Sequence, residues 1–318
     1  MYNEEETVPL FRAAIESFMK EVACQTEVVL VNDGSRDSTI ELLVGWARAD
    51  GRIKVIHLSR NFGHQIAATA GLDHASGDAV VLIDADLQDP LSVVHEMIKR
   101  YCEGYDVAYG RREMRVGESW IKISTAWLFY RLMRVLVYKD LPLDAGDFRL
   151  ISRPCLDGLR QMRETHRFLR GMAAWVGYPQ IPVPYNRAPR AAGETKYPMR
   201  KMLSFAWTAA TSFSIVPLRL SFATGFIVGL VSLEEGIRAL LAHIFGWYTI
   251  SGWTSLTILL SAIGAALLFS VGILGEYVGK LYEQSKNRPL YFAARTYNLE
   301  SETLPSAPME PSTTLISA

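Results

Sequence analysis

Three aspartates and an amide close behind an apolar run are the first candidates for chemistry. Val80-Val81-Leu82-Ile83 leads straight into Asp84-Ala85-Asp86-Leu87-Gln88-Asp89-Pro90. The four apolar residues read as a strand buried on both faces, and clustered carboxylates at its end are costly to build unless the charge has a use. At the carboxyl end of a parallel strand, where open α/β sheets bind ligands, that use is to hold a divalent cation. Asp84 and Asp86 supply hard oxygen ligands and Gln88 a neutral one, a set that suits Mg2+ or Mn2+ shared with substrate phosphates. The simpler reading is an Asp-Pro turn whose acids are merely solvated. Another acid, Asp33 in Val31-Asn32-Asp33-Gly34-Ser35, ends a second apolar run, and Tyr2-Asn3-Glu4 stands at the start. With the three segments on one sheet edge, Asp33 and Glu4 would read the base and ribose of a nucleotide and Tyr2 would offer a ring face. Taken alone, Asp33 is a turn residue.

These residues need a sheet to present them. Segments 27–31, 53–58, 79–84 and 106–110 read as strands, with helices running from Asp37-Ser38 to about Ala49, from Gly63 to about His74 and from Pro90 to about Tyr101. Strands alternating with helices in this way imply an α/β fold with a doubly wound, mostly parallel sheet. The chain opens directly on a helical pattern (Leu10, Phe11, Ala14, Ile15, Phe18), with Asn3 as its cap and Glu4 to Glu6 suiting the dipole. No strand precedes it, so the first strand of such a sheet is expected to be missing, through a late start or a truncation.

The bulk numbers narrow the class. Across 318 residues, 33 Lys+Arg balance 33 Asp+Glu, so nothing global points to nucleic acid. Cys24, Cys102 and Cys155 are far apart, which fits free thiols in a reducing compartment. The six histidines show no zinc-type spacing.

The later half of the chain is apolar. Ser119 to Tyr138 reads as a helix rich in Trp, Tyr and leucine, either packed on the sheet or lying at a membrane interface. A stripe of Met199, Met202, Leu203, Ala206, Ala210 and Phe213, flanked by Arg200 and Lys201, favours the membrane surface. Leu218 to Phe245 and Trp253 to about Tyr277 are each long enough to span the ~30 Å hydrocarbon core. Glu234 and Glu235 fall inside the first span, so they face a neighbouring helix or the pair is a buried soluble hairpin; the membrane reading is preferred and the acids suggest self-association. Arg219 precedes the hairpin, Lys280, Lys286 and Arg288 follow it, and Gly246 to Gly252 carries no cation. The positive-inside rule then puts both ends in the cytoplasm of a multi-pass plasma-membrane protein. The segment from about Leu299 reads as disordered.

Four motifs together resemble family 2 inverting glycosyltransferases: Tyr2-Asn3-Glu4-Glu5, Val31-Asn32-Asp33-Gly34-Ser35, Ser59-Arg60-Asn61-Phe62-Gly63 and Asp84-Ala85-Asp86-Leu87-Gln88-Asp89-Pro90. The likeness is greatest to the polyprenyl-phosphate type, namely dolichol-phosphate mannosyltransferases and bacterial bactoprenol-phosphate glucosyltransferases. Gly146-Asp147-Phe148-Arg149-Leu150, the hairpin, Gly275-Glu276-Tyr277-Val278-Gly279-Lys280 and Asn287-Arg288-Pro289-Leu290-Tyr291 match the bacterial subgroup. The family's first strand, with the Pro before this Tyr-Asn, has no counterpart here. The resemblance implies a GT-A type fold in which Asp86 and Gln88 hold the metal with Asp84 in support, and Ala85 lies in the same donor-binding turn. It also implies that Arg112, Arg190 and Lys196 bind phosphates, where the plainer reading is a solvated basic loop. Asp147 becomes the candidate base or orienting carboxylate, the plainer reading being a local Asp-Arg pair.

The expected organisation is a GT-A domain over 1–198, a juxtamembrane amphipathic helix over 199–216, two transmembrane helices over 217–282 and a cytoplasmic tail over 283–318. The expected activity is transfer of a sugar from a nucleotide-diphosphate sugar, UDP-glucose first, to a polyprenyl phosphate, with Mg2+ or Mn2+ and inversion. The rivals are a processive polysaccharide synthase, for which a Gln-x-x-Arg-Trp motif is missing at Gln161-Met162-Arg163-Glu164, and a non-catalytic sugar-nucleotide-binding scaffold.

Overall fold

The computed structural model describes residues 1–112, 145–186, 211, 215–246 and 253–299. In chain order these form α1 (Val8–Glu21), β1 (Val28–Asn32), α2 (Thr39–Ala49), β2 (Ile53–Leu58), α3 (His64–His74), β3 (Ala79–Leu82), α4 (Ser92–Cys102), β4 (Val107–Arg112), β5 (Ala145–Ser152), α5 (Arg153–Gln161), α6 (Leu169–Trp175), β6 (Gln180–Tyr185), α7 (Val216–Phe245), α8 (Trp253–Ser285) and β7 (Ala293–Tyr297). The greasy segment around Trp127 and the Met199 stripe lie outside the described residues, as do Arg190 and Lys196.

The strands make two sheets, ordered β1-β2-β7 and β3-β5-β4-β6. β1 and β2 run parallel in a register that sets Val28 beside Ile53 and Asn32 beside His57. β4 and β6 are also parallel, whereas β5 is antiparallel to both β3 and β4, and β7 to β2. Each sheet therefore has one strand against the common direction, so the sheets are mixed. β3 is only partly buried, not enclosed on both faces, because it forms the edge of its sheet with β5 alone beside it.

Burial follows the helical and strand periods. Leu43, Trp46 and Ala47 of α2 are buried against Ile53 and Val55 of β2, and Met97 and Val94 of α4 pack with Phe148, Leu150 and Ala108. Removing such apolar surface from water stabilises the fold by ~1.5–3 kcal/mol per large side chain. α3 touches β1, β2 and β3, so it joins the two sheets and places its first residues between them.

The start of the chain differs from expectation. α1 begins at Val8 with Pro9 in its first turn and no acid there. Asn3 is not a cap: it adopts a left-handed backbone, φ 53°, and its side-chain oxygen accepts from Arg36 N at 2.9 Å. Before it, Met1 runs alongside β1, its amine donating to Val31 O and its carbonyl accepting from Asp33 N.

α7 and α8 contain stretches, Val216–Arg238 and Leu259–Ser285, with mean hydropathies of 1.7 and 1.9 and only 11% and 6% of their residues buried. A core helix of a soluble domain would be covered by its neighbours, but Phe222 and Leu268 are 77% and 73% exposed. The hairpin is therefore not a buried soluble one, and its length and composition suit a membrane. Glu234 is exposed on α7, not turned onto a neighbouring helix. The far end of α8 returns to the α/β unit, where Gln284 Oε1 accepts from Thr165 N at 2.8 Å and Glu283 pairs with His166. β7 then joins β2, and Asn298 donates to the carbonyls of Ala47 and Ile53.

Candidate active site

The acid run after β3 and the turn after β1 open beside each other, with the start of α3 between them. Asp33 is 3% exposed, and its two carboxylate oxygens accept from Phe62 N at 2.7 Å and Gly63 N at 2.9 Å. The approach is close enough that a Cβ on Gly34 would lie 2.4 Å from the Arg60 carbonyl carbon, and Gly34 has φ +66°, so this turn requires glycine. Asp33 thus ties the β1 turn to the loop before α3. Asp33→Ala would orphan two backbone donors, and the unfolding free energy is expected to fall by ~2–4 kcal/mol in a chemical denaturation series. An unchanged midpoint would remove this role.

Tyr2, 42% exposed, and Glu4 border the same turn. Asn3 N donates to Ser35 Oγ at 3.0 Å and Glu4 N to Thr39 Oγ1 at 2.9 Å. The Glu4 carboxylate itself accepts from Thr7 Oγ1 at 2.7 Å, at the entry to α1.

Asp147 lies on β5, 7% exposed, surrounded by donors from two helices. His64 Nε2 lies 3.1 Å from its Oδ2, Gln65 Nε2 donates to the same oxygen at 2.8 Å, and Arg170 Nε donates to Oδ1 at 3.0 Å. Arg149, 1% exposed, sends its guanidinium to the carbonyls of Gly146 and Asp147. Burial alone would raise the Asp147 carboxyl, but the hydrogen bond from His64, with the charge and hydrogen bond of Arg170 and the charge of Arg149, outweighs it and holds the group far below the usual carboxylate range. The plainer alternative, a local Asp147–Arg149 pair, is not what forms: Arg149 supports the backbone, and the carboxylate meets Arg170, His64 and Gln65.

His64 Nε2 also stands 3.7 Å from Asp84 Oδ1, so the acid turn and Asp147 converge on one imidazole nitrogen. Burial first, then the charges of Asp147, Asp86 and Asp89, push the Asp84 carboxyl up, and His64 partly opposes them. Such mutual repulsion is relieved by a bound cation. Among the described residues no three His, Cys, Asp or Glu side chains are grouped as a ready cage. Mg2+ and Mn2+ are commonly held by one or two carboxylates, with phosphates and water completing the shell. Gln88 is nearly buried, and its backbone N–H donates to Asp86 Oδ1 at 3.2 Å across the turn, where Leu87 has φ 55°. Ala85 and Leu87 pack against the core shared by α1 and α2.

Arg112, at the end of β4, lies against β5: a Cβ on Gly146 would sit 3.3 Å from its Nη2. The structure thus brings Asp33, Asp84, Asp86, Gln88, Arg112 and Asp147 to one side of the two sheets. Sequence reasoning missed His64, Gln65, Arg170 and Tyr185 as members of this neighbourhood.

A constellation of clustered acids beside a buried carboxylate on an α/β scaffold has close relatives. The family model for glycosyl transferase family 2 matches residues 1–160. An uncharacterized glycosyltransferase, YkcC, of Bacillus subtilis is 41% identical over 96% of this chain and 94% of its own length. A prophage bactoprenol glucosyl transferase homolog of Escherichia coli is 35% identical over 93% of this chain and 96% of its own. The bactoprenol glucosyl transferase of Shigella phage SfII is likewise 35% identical, over 93% of this chain and 96% of its own length. These likenesses run through the α/β unit and the hairpin alike, so the α/β unit is of GT-A type and the chain, a glycosyltransferase, belongs to glycosyl transferase family 2.

Proposed function

We propose that the protein transfers a sugar, glucose from UDP-glucose, to a polyprenyl phosphate at the cytoplasmic face of the plasma membrane, with inversion and with Mg2+ or Mn2+. The observation that carries this reading is the convergence of Asp84 and a buried Asp147 on His64 Nε2 in a chain that also has an uncovered apolar hairpin. Relatives bearing the name bactoprenol glucosyl transferase support the sugar and the acceptor class.

In this reading Asp86 and Gln88 would hold the cation with Asp84 in support, and the bound cation would supply positive charge to the donor diphosphate. Arg112, with Arg190 and Lys196 of the later segment, adds positive charge for the same phosphates. Tyr2, Glu4 and Asp33 border the place for the nucleoside, and Ala85 leaves room in the donor turn. An acceptor phosphate oxygen attacks the anomeric carbon as the bond to the diphosphate oxygen breaks on the opposite face, which inverts the centre. That oxygen is already ionised near neutral pH, since a phosphomonoester's second pKa is ~6. Asp147 is held too acidic to take a proton there, so its part is orientation: it fixes His64, Gln65 and Arg170 around the acceptor. Most of the rate then comes from alignment and charge stabilisation. Arg219 before the hairpin and Lys286 and Arg288 after it support a cytoplasmic site.

The donor assignment is tested by giving the detergent-purified chain a panel of labelled UDP- and GDP-sugars with a polyprenyl phosphate. UDP-glucose is expected to give the highest kcat/KM. A GDP-sugar used faster would overturn it.

A further inference from the structure

Tyr185 ends β6 and none of the roles above uses it, yet it touches the acid turn, Arg112 and the neighbour of Asp147. Its hydroxyl donates to Asp89 Oδ1 at 2.5 Å, inside the turn that carries Asp84, Asp86 and Gln88. Arg112 Nε points at the same hydroxyl from 3.4 Å. The ring meets Phe148, the neighbour of Asp147, edge-on with centroids 5.6 Å apart. It fits only because position 110 is glycine: a Cβ there would lie 2.8 Å from the Tyr185 ring and 2.9 Å from Phe148. Tyr185 is 5% exposed and Asp89 3%, so the pairing is shielded from water, where a hydrogen bond to a carboxylate is strong.

The geometry points to Tyr185 as a positioning residue that pins the acid turn to the Arg112 arm and so sets the spacing of the groups that grip the donor's cation and diphosphate. The order of donation is consistent along the chain, from Arg112 N–H to the tyrosine oxygen and from the tyrosine O–H to Asp89. Burial, then the bond to Asp89, raises the phenol to about 12, which keeps its proton in place as a donor throughout the working range. Asp89 is thereby separated in role from Asp84 and Asp86: it anchors the turn from below instead of facing the ligand. This inference rests on the proposed reading of the acid turn as a cation site.

The test is a double-mutant cycle on the full chain in detergent, with Mn2+ affinity read from the EPR signal of free Mn2+ at saturating UDP and the unfolding midpoint measured without ligands. Tyr185→Phe keeps the ring in its Gly110 notch and removes the pin, so Mn2+ is expected to bind about tenfold more weakly. Asp89→Asn keeps an acceptor for the hydroxyl and should cost about threefold or less. The double variant should lose less than the product of the two single losses, because both changes act on one bond. A lowered midpoint with unchanged Mn2+ affinity, or losses that simply add, would overturn the pin. Should Tyr185→Phe fail to fold, an Asp89→Ala loss no larger than that of Asp89→Asn would overturn it too. Absence of Mn2+ binding by the unsubstituted chain would overturn the cation site itself and the pin with it, an outcome seen before any variant is made.

Discussion

Asp147→Ala is expected to abolish sugar transfer and to lower the unfolding midpoint by roughly 10 °C, the cost of leaving the buried Arg149 and the partly buried Arg170 without their counter-charge. Arg170 and His64 point at that carboxylate, and Arg149 lies fully buried beneath it. Asp147→Asn should rescue neither fully, because the amide carries no charge to balance Arg170 and Arg149 and turns an NH2 toward groups that donate to the carboxylate. Its activity is expected to fall by at least two orders of magnitude, in the range for losing one pre-organised electrostatic group. A variant retaining a tenth of the rate would remove Asp147 from the reaction. The same group predicts an acid limb. Its folded pKa is depressed, so its stabilisation is complete above the unfolded value of ~3.9 and is lost as pH falls toward the folded value. Chemical denaturation between pH 5 and 2 should therefore show stability declining more steeply in the unsubstituted chain than in Asp147→Asn. Parallel declines would contradict that.

Asp86→Ala carries the second large effect. If Asp86 holds the cation, its loss should reduce transfer by roughly a thousandfold, equivalent to several kcal/mol of charge stabilisation. Nucleotide binding should lose its dependence on added metal in the same variant, while the midpoint without ligands moves little. The reason for the second half lies in Asp84, whose carboxyl is raised partly by repulsion from Asp86. Removing one of two repelling charges relaxes the empty turn even as it disables the loaded one. Full turnover of the unsubstituted protein in EDTA would sink the assignment.

Much of this site can be read from the chain because its acids follow apolar runs. Val28 to Val31 and Val80 to Ile83 announce strands, and polar residues at their ends announce a ligand edge. What stayed hidden has physical causes. β5 is read poorly because Gly146, Asp147 and Arg149 are polar or small yet buried, paired with one another and with other elements instead of with solvent. β6 carries Pro182 and Pro184, which cannot donate to a ladder and suit the sheet edge where the strand lies. β7 is five residues long and finds its partner, β2, far back in the sequence. His64, Gln65 and Arg170 come from α3 and α6, and only the fold brings them to one carboxylate. The one available signal was that His64-Gln65 opens a helix after the Arg60-to-Gly63 loop, next to a predicted strand end. Asn3 misled for a related reason: its capping chemistry is real but is directed at Arg36 in the neighbouring turn, not at α1.

The central claim is that a soluble donor's sugar is delivered to a lipid phosphate. The most direct measurement incubates the detergent-purified full chain with Mn2+, a labelled UDP-sugar and a polyprenyl phosphate, then partitions the products between organic solvent and water. Label is expected in the organic phase, dependent on the added lipid phosphate and lost in Asp147→Ala. Label found only in a water-soluble polymer, or organic label formed without the lipid, would contradict it.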